Sequence, residues 1–207
     1  MNVTLKTSFE DYKLKAVFDA LGPSNRARLL AVGAKEMEVR VRRHLGRIAP
    51  ARHATATALG AKPTGHIRKG IARIVSTATP EYGEVAIPIP GIVRAWRDVR
   101  LETPTRRGKK FYTVPKHAAA YGRSVDALRR AGWKIFRPGE KRVLLGYRNR
   151  GDKPVVLYAL AEKVSQRQDP ALLPTRDELG DAFTDAIERE ITRRIRAAAA
   201  KKAEGAK

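Results

Sequence analysis

The chain reads as an α+β protein: one antiparallel or mixed sheet packed with a long N-terminal helix and a long C-terminal helix. Three observations predict this. Apolar residues recur every three or four positions over 24–48 and again over 176–200, the spacing that gathers side chains on one helical face. Between these stretches the apolar period falls to two, or apolar residues run together, in short segments bounded by Gly and Pro, which is how strands read. Finally, 207 residues of 43% hydrophobic content suffice for a real core, because a folded chain of this size buries roughly 70% of the surface its extended form exposes. The expected organisation is a single domain over 1–200 with extended basic loops over 94–150, followed by a flexible basic tail over 201–207.

Taken in order, the first helix places Leu30, Ala34, Met37, Val41, Leu45 and Ile48 on one face and Arg28, Lys35, Arg42 and Arg43 on the other. Ser24, after Gly22-Pro23, is its expected N-cap, and Phe18, Ala20 and Leu21 form an apolar turn ahead of it. Residues 49–65, small and Thr-rich with two prolines, predict a loop with a helical turn. Ile67, Ile71, Ile74 and Val75 predict a second helix over 66–75. Val85, Ile87 and Ile89 alternate, so a strand is expected there, confined by Pro88 and Pro90 to an edge or an end.

Val99 and Leu101 continue the alternation, and Thr105–Lys110 would turn as a basic hairpin tip into a strand Phe111–Val114. A short helix carries Val125, Leu128 and Ala131, and strands are expected at Trp133–Phe136 and Val143–Tyr147. A polar turn over 148–154 leads to Val155–Leu160, apolar enough for a central strand buried on both faces. In the last helix Leu179, Phe183, Ile187, Ile191 and Ile195 stand four apart, Thr175 can cap the start, and acids precede bases along its length, which complements the helix dipole.

The net charge of +22 is concentrated in two stretches. Residues 24–70 hold eleven Lys/Arg against two Glu, and residues 94–150 hold seventeen against four acids. Such a single-sign excess calls for anionic surroundings: nucleic acid, anionic lipid or an acidic protein face. No segment approaches the roughly 18 apolar residues that span a bilayer, and the first ten residues lack the apolar centre of a secretory signal. The reading is a protein made and used from the cytoplasm, with no membrane partner.

Chemistry is sparse. With no cysteine, thiolate ligands and thiol nucleophiles are absent. His44, His53, His66 and His117 match no metal-ligand spacing, and neither a phosphate-binding Gly-rich loop nor a dinucleotide fingerprint is present. None of the five serines lies in a nucleophile elbow. Asp177, Asp181, Asp185 and Glu188 form an acidic stripe on the last helix; two carboxylates there could hold magnesium, but a solvated face is the plainer reading. A third reading pairs the stripe with a basic patch of a neighbouring copy, head to tail. For nucleic acid, Phe111 and Tyr112 beside Arg106, Arg107, Lys109 and Lys110, and Trp96 between Arg94 and Arg97, are the candidate stacking groups, against a plainer role as partly buried strand residues. No cofactor and no catalytic activity are expected.

Two stretches carry a resemblance. Phe18-Asp19-Ala20-Leu21, then Arg26-Ala27-Arg28-Leu29-Leu30 and the long Arg-rich helix, resembles the start of tailed-bacteriophage virion morphogenesis proteins of the tail-completion class. Tyr158-Ala159-Leu160-Ala161-Glu162, followed by Asp169-Pro170-Ala171-Leu172-Leu173-Pro174 and an amphipathic helix, is similar to the corresponding segment of related minor tail and neck proteins. The basic middle, 94–150, departs from that pattern. The resemblance implies a non-enzymatic virion component, assembled in the host cytoplasm and resident in the neck or tail. It implies a homo-oligomeric ring, a hexamer being one candidate size. The implied partners are a head-side connector or adaptor protein, a tail tube or tail terminator protein, and packaged DNA. Arg42, Arg43, Arg106, Arg107, Lys109 and Lys110 are then the expected DNA- or partner-facing bases, and Asp177, Asp181, Asp185, Leu172 and Leu173 the expected subunit interface. The alternative is a sequence-independent nucleic-acid-binding protein; an enzyme using the Asp177–Glu188 stripe is a weaker third.

Overall fold

The computed structural model describes residues 3–7, 21–102 and 111–204. Strand β1 (Val3–Thr7) is followed by helix α1 (Pro23–Ile48), the short helices α2 (Ala54–Ala58) and α3 (His66–Ile71), and strands β2 (Val75–Ala78), β3 (Gly83–Ile87), β4 (Val99–Glu102) and β5 (Tyr112–Pro115). Then come helix α4 (Val125–Arg130), strands β6 (Lys134–Phe136), β7 (Val143–Tyr147), β8 (Val155–Ala161) and β9 (Lys163–Gln166), and helix α5 (Arg176–Glu204). The fold class is α+β, with both long helices in place and every strand pair antiparallel.

Where one domain was expected, the chain divides into two compact units. Where one sheet was expected, the strands among the described residues form three: β1-β3-β2, β4-β9 and β5-β8-β7-β6. Alternation identifies a strand but not its partner, which is why pairing differs from the sequence reading. The first unit comprises residues 1–49, 66–96 and 169–207; the second comprises 50–65 and 97–168. The expected loops of 94–150 thus include β4 to β7 and α4, and 201–204 of the expected tail continue α5, while 205–207 lie outside the described residues.

In the first unit the three-stranded sheet packs under α1 and α5. Leu29, Leu30, Met37, Val41 and Leu45 of α1, Val85 and Ile87 of β3, and Leu179, Phe183 and Ile187 of α5 share one core. Gly33 lets the two helices approach closely, since a Cβ there would lie 2.5 Å from the Phe183 ring. Strand β3 is the centre of its sheet, with β1 on one side and β2 on the other, and it ends before Pro88. The prolines therefore mark an end, as a residue without an N–H must in a central strand. Helix α1 starts from Gly22 with Pro23 in its first turn, so Ser24 lies inside the helix and gives no side-chain cap. Phe18 and Ala20 lie outside the described residues.

In the second unit Leu157 and Tyr158 of β8, Ala120 and Leu128 form a smaller core, joined by Trp133, Ile135, Leu144 and Val155. Strand β8 is central between β5 and β7, as expected. It is not buried on both faces, because Val156 is 42% exposed. Strands β4 and β5 do not form the expected hairpin: β4 pairs with β9, and β5 with β8.

Candidate functional site

Helix α5 is the element that the sequence and the structure both single out. Thr175 Oγ1 accepts from the Glu178 N–H at 3.1 Å, while a Glu178 carboxylate oxygen accepts from the Thr175 N–H at 2.9 Å, a reciprocal capping box. These bonds hold the Glu178 carboxyl below its ordinary value, helped by the charge of Arg40. Leu179, Phe183, Ala186 and Ile187 are buried, yet Ile195 is 64% exposed. The reason is angular: residues four apart advance about 400°, so a strict four-residue spacing drifts by about 40° per step. By Ile195 the apolar row has left the core face.

Beyond Ile195 the described side chains of α5 are all exposed. The last ten helical residues, roughly 15 Å of helix, therefore form an exposed, Ala-rich arm whose bases are Arg196, Lys201 and Lys202. At its base Glu190 accepts from Arg193 through both carboxylate oxygens at 2.8 Å and from Arg194 at 2.7 Å, which lowers its carboxyl pKa to about 2. Asp177, Asp181, Asp185 and Glu188 stand exposed along the preceding turns, and Asp185 and Glu188 share a shallow surface with Arg189, Thr192, Arg193 and Arg196.

The other expected interface residues behave differently. Leu172 and Leu173 are buried in the first unit's own core, at 8% and 3% exposure. Pro170 opens a 3-10 turn that tucks them inward, so they dock on their own body and neither is free for a neighbour.

Arg43 is exposed on α1, whereas Arg42 is turned inward. Its Nε lies 2.8 Å from Glu38 Oε1, without alignment for a hydrogen bond, and a terminal guanidinium nitrogen donates to the Ile74 carbonyl. Glu38 is 4% exposed and also takes Lys35 Nζ at 3.0 Å, the Ser76 N–H at 3.1 Å and the Ser76 hydroxyl at 2.7 Å. Burial pushes this carboxyl up, but the bonds from Ser76 and Lys35 and the charges of Lys35 and Arg42 outweigh it, leaving the pKa below the ordinary value. Strand β2 is an edge, and this pair occupies polar backbone groups that β3 leaves unmet. Side chains thus blunt an edge that another strand would otherwise join. The spacing of Lys35, Glu38 and Arg42 was visible in sequence as local ion pairs; their position over a sheet edge was not. A cleft of about 570 Å³ adjoins them, lined in part by Ala31, Val75 and Thr77.

Arg106, Arg107, Lys109 and Lys110 lie outside the described residues. Trp96 packs against the first unit's core. Phe111 is half-buried with the Arg137 guanidinium 5.3 Å from its ring centre. The histidines serve local structure where their partners are seen: His117 Nδ1 accepts from the Ala119 N–H, and His44 Nε2 donates to the Ala171 carbonyl. Among the described residues no cluster of three His, Asp or Glu is arranged to hold a metal ion, and no helix is long and apolar enough to cross a membrane. No family model matches the chain, and no curated protein or solved structure is found similar to it.

Proposed function

We propose that this chain is a structural protein of a tailed-phage virion, completing the tail or joining head and tail at the neck, and that it works as one copy in a ring. The observation that carries the reading is the α5 arm. A ten-residue helix with no packing is marginal in isolation; here it extends a helix anchored by Leu179, Phe183 and Ile187 and presents Ile195 and a basic end to whatever lies beside it. The acidic row Asp177, Asp181 and Asp185 stands earlier on the same helix. Base on one copy meeting acid on the next is a heterologous contact, which closes into a ring when the rotation permits. The proposed neighbours are a head-side connector or adaptor protein and a tail tube or tail terminator protein, with DNA phosphates passing the basic surfaces.

Negative-stain electron microscopy of the purified chain and of the Asp181→Lys/Asp185→Lys variant tests this. Closed rings are expected from the parent chain and separate subunits from the variant. Rings unchanged by the double reversal would remove the acidic row from the interface, and absence of rings from both would contradict the reading.

A second reading, sequence-independent binding of nucleic acid, is favoured by the charge of the second unit. Its residues hold 21 Lys/Arg against 6 Asp/Glu, a net of +15 out of +22.

A further inference from the structure

The four-stranded sheet of the second unit has two faces of different character. Ile135, Leu144, Val155, Leu157 and Tyr158 belong to the core on the inner face. Residues of the opposite parity, Lys134, Phe136, Val143, Leu145, Tyr147 and Val156, point the other way. A bulge makes this arrangement work: Leu144 pairs with Tyr158 and Leu145 with Val156, so Leu157 is the extra residue and both Leu157 and Tyr158 can face inward. Gly146 leaves room for the Leu157 side chain behind it.

The outer face is apolar and aromatic; Phe136 is 41% and Val156 42% exposed, and Val143, Leu145 and Tyr147 are half-buried. The Phe136 and Tyr147 rings meet edge to face, with centroids 6.3 Å apart, and Lys134, exposed, sits opposite Tyr147 on the neighbouring strand. Exposed bases flank the rings along the chain: Lys141 before β7 and Arg148 and Arg150 after it, with Arg137, held by the Glu140 and Lys141 carbonyls, and Arg142, paired with Glu162 at 2.9 Å, beside them. The unit's helix α4 contributes Leu128 to the inner core, not to this face.

We propose that this outer sheet face is a stacking platform for single-stranded nucleic acid, with Phe136 and Tyr147 contacting bases and the surrounding Lys and Arg side chains contacting phosphates. Charge selects the occupant. An apolar protein partner has no use for a surround this basic, whereas a polynucleotide supplies both the anion and the flat ring. Geometry selects the strand form: bases stacked in a duplex cannot lie on a sheet face, while unpaired bases can be splayed onto exposed rings. The inference sharpens the second reading above and is independent of ring assembly.

The test is fluorescence anisotropy of the full chain with a labelled oligothymidylate of about 20 nucleotides, long enough to cover the site sizes of such surfaces, and with a duplex of the same length. The single strand is expected to bind more tightly than the duplex. The Phe136→Ala/Tyr147→Ala variant is expected to lose at least about tenfold in affinity for the single strand, with an unchanged dependence on salt, because rings and not phosphate contacts have been removed. Phe136→Trp, which keeps a ring, should retain binding and controls for folding. Equal affinity for duplex and single strand, or parental affinity in the double Ala variant, would leave only general charge attraction and overturn the proposal. So would a double Ala variant whose oligomeric mass falls while no form of the chain binds the oligonucleotide, since that would make the face a contact between copies.

Discussion

In the first unit a continuous core runs from Leu29 on α1 through Val85 and Ile87 on β3 to Phe183 on α5; in the second, the fully buried centre is Ala120, Leu128, Leu157 and Tyr158. Charge is distributed the opposite way. The first unit carries 22 Lys/Arg against 15 Asp/Glu, a net of +7, and the second a net of +15 on fewer residues. Burial of apolar surface is the main force that favours folding, and unbalanced like charge opposes compactness. The first unit thus sets a larger core against a smaller excess of charge, and the second a smaller core against a larger excess.

The chain contains two tryptophans, Trp96 in the first unit and Trp133 in the second. Trp133→Phe and Trp96→Phe backgrounds thus let fluorescence follow each unit separately in a urea titration. The largest effect is expected from Phe183→Ala, about 3–5 kcal/mol for a buried ring, read by Trp96 and not by Trp133. Loss of both signals together would show that the units unfold as one.

Glu38→Ala comes next. It leaves the Ser76 N–H and hydroxyl without their acceptor and the Arg42 guanidinium without its counter-charge, at about 2–3 kcal/mol for bonds to a charged group, again on the Trp96 transition. The pH dependence has the same origin. Because the folded-state pKa of Glu38 lies below its ordinary value, the stabilisation is present above the ordinary carboxylate range and is lost as pH falls through the folded value. Glu190 follows the same sign, losing its contribution toward pH about 2, with a smaller weight because its Arg193 partner is well exposed. The Trp96 midpoint should fall on acidification below about 4.5, and Glu38→Ala should flatten that fall.

Salt should separate the units in the other direction. Raising ionic strength from about 0.05 to 0.5 M shortens the screening length severalfold, so the Trp133 midpoint should rise more than the Trp96 midpoint. Equal shifts would mean that net charge does not distinguish them. The smallest effect is Thr175→Ala, about 1 kcal/mol for a lost N-cap, detectable as a slight fall of the Trp96 midpoint.

Much of this fold was legible in sequence because helical and strand periods are local. The span of α1, the Thr175 cap of α5 and the strands β7 and β8 follow directly from spacing. Pairing is not local, so the swap of the expected β4-β5 hairpin for β4-β9 and β5-β8 could not be read from alternation. The helix expected over 66–75 ends at Ile71, and its last expected residue, Val75, instead opens β2, because an apolar spacing of three and four over so short a run does not decide between helix and strand. At the candidate sites, the acidic row on α5 was legible and is exposed. Leu172 and Leu173 look the same in sequence whether they meet their own core or a neighbour. Phe136 and Tyr147 were placed in strands, but which face is solvated depends on a bulge in the partner strand that composition does not reveal.

The most direct measurement is the solution mass of the nuclease-treated chain by light scattering behind a sizing column at low and high salt, with absorbance recorded at 260 and 280 nm. A discrete, nucleic-acid-free multiple of the 22.9 kDa subunit at both salts is the predicted result. A monomer at both salts, or a larger species that carries nucleic acid at low salt and becomes a monomer when it sheds it, would contradict the ring-forming virion protein.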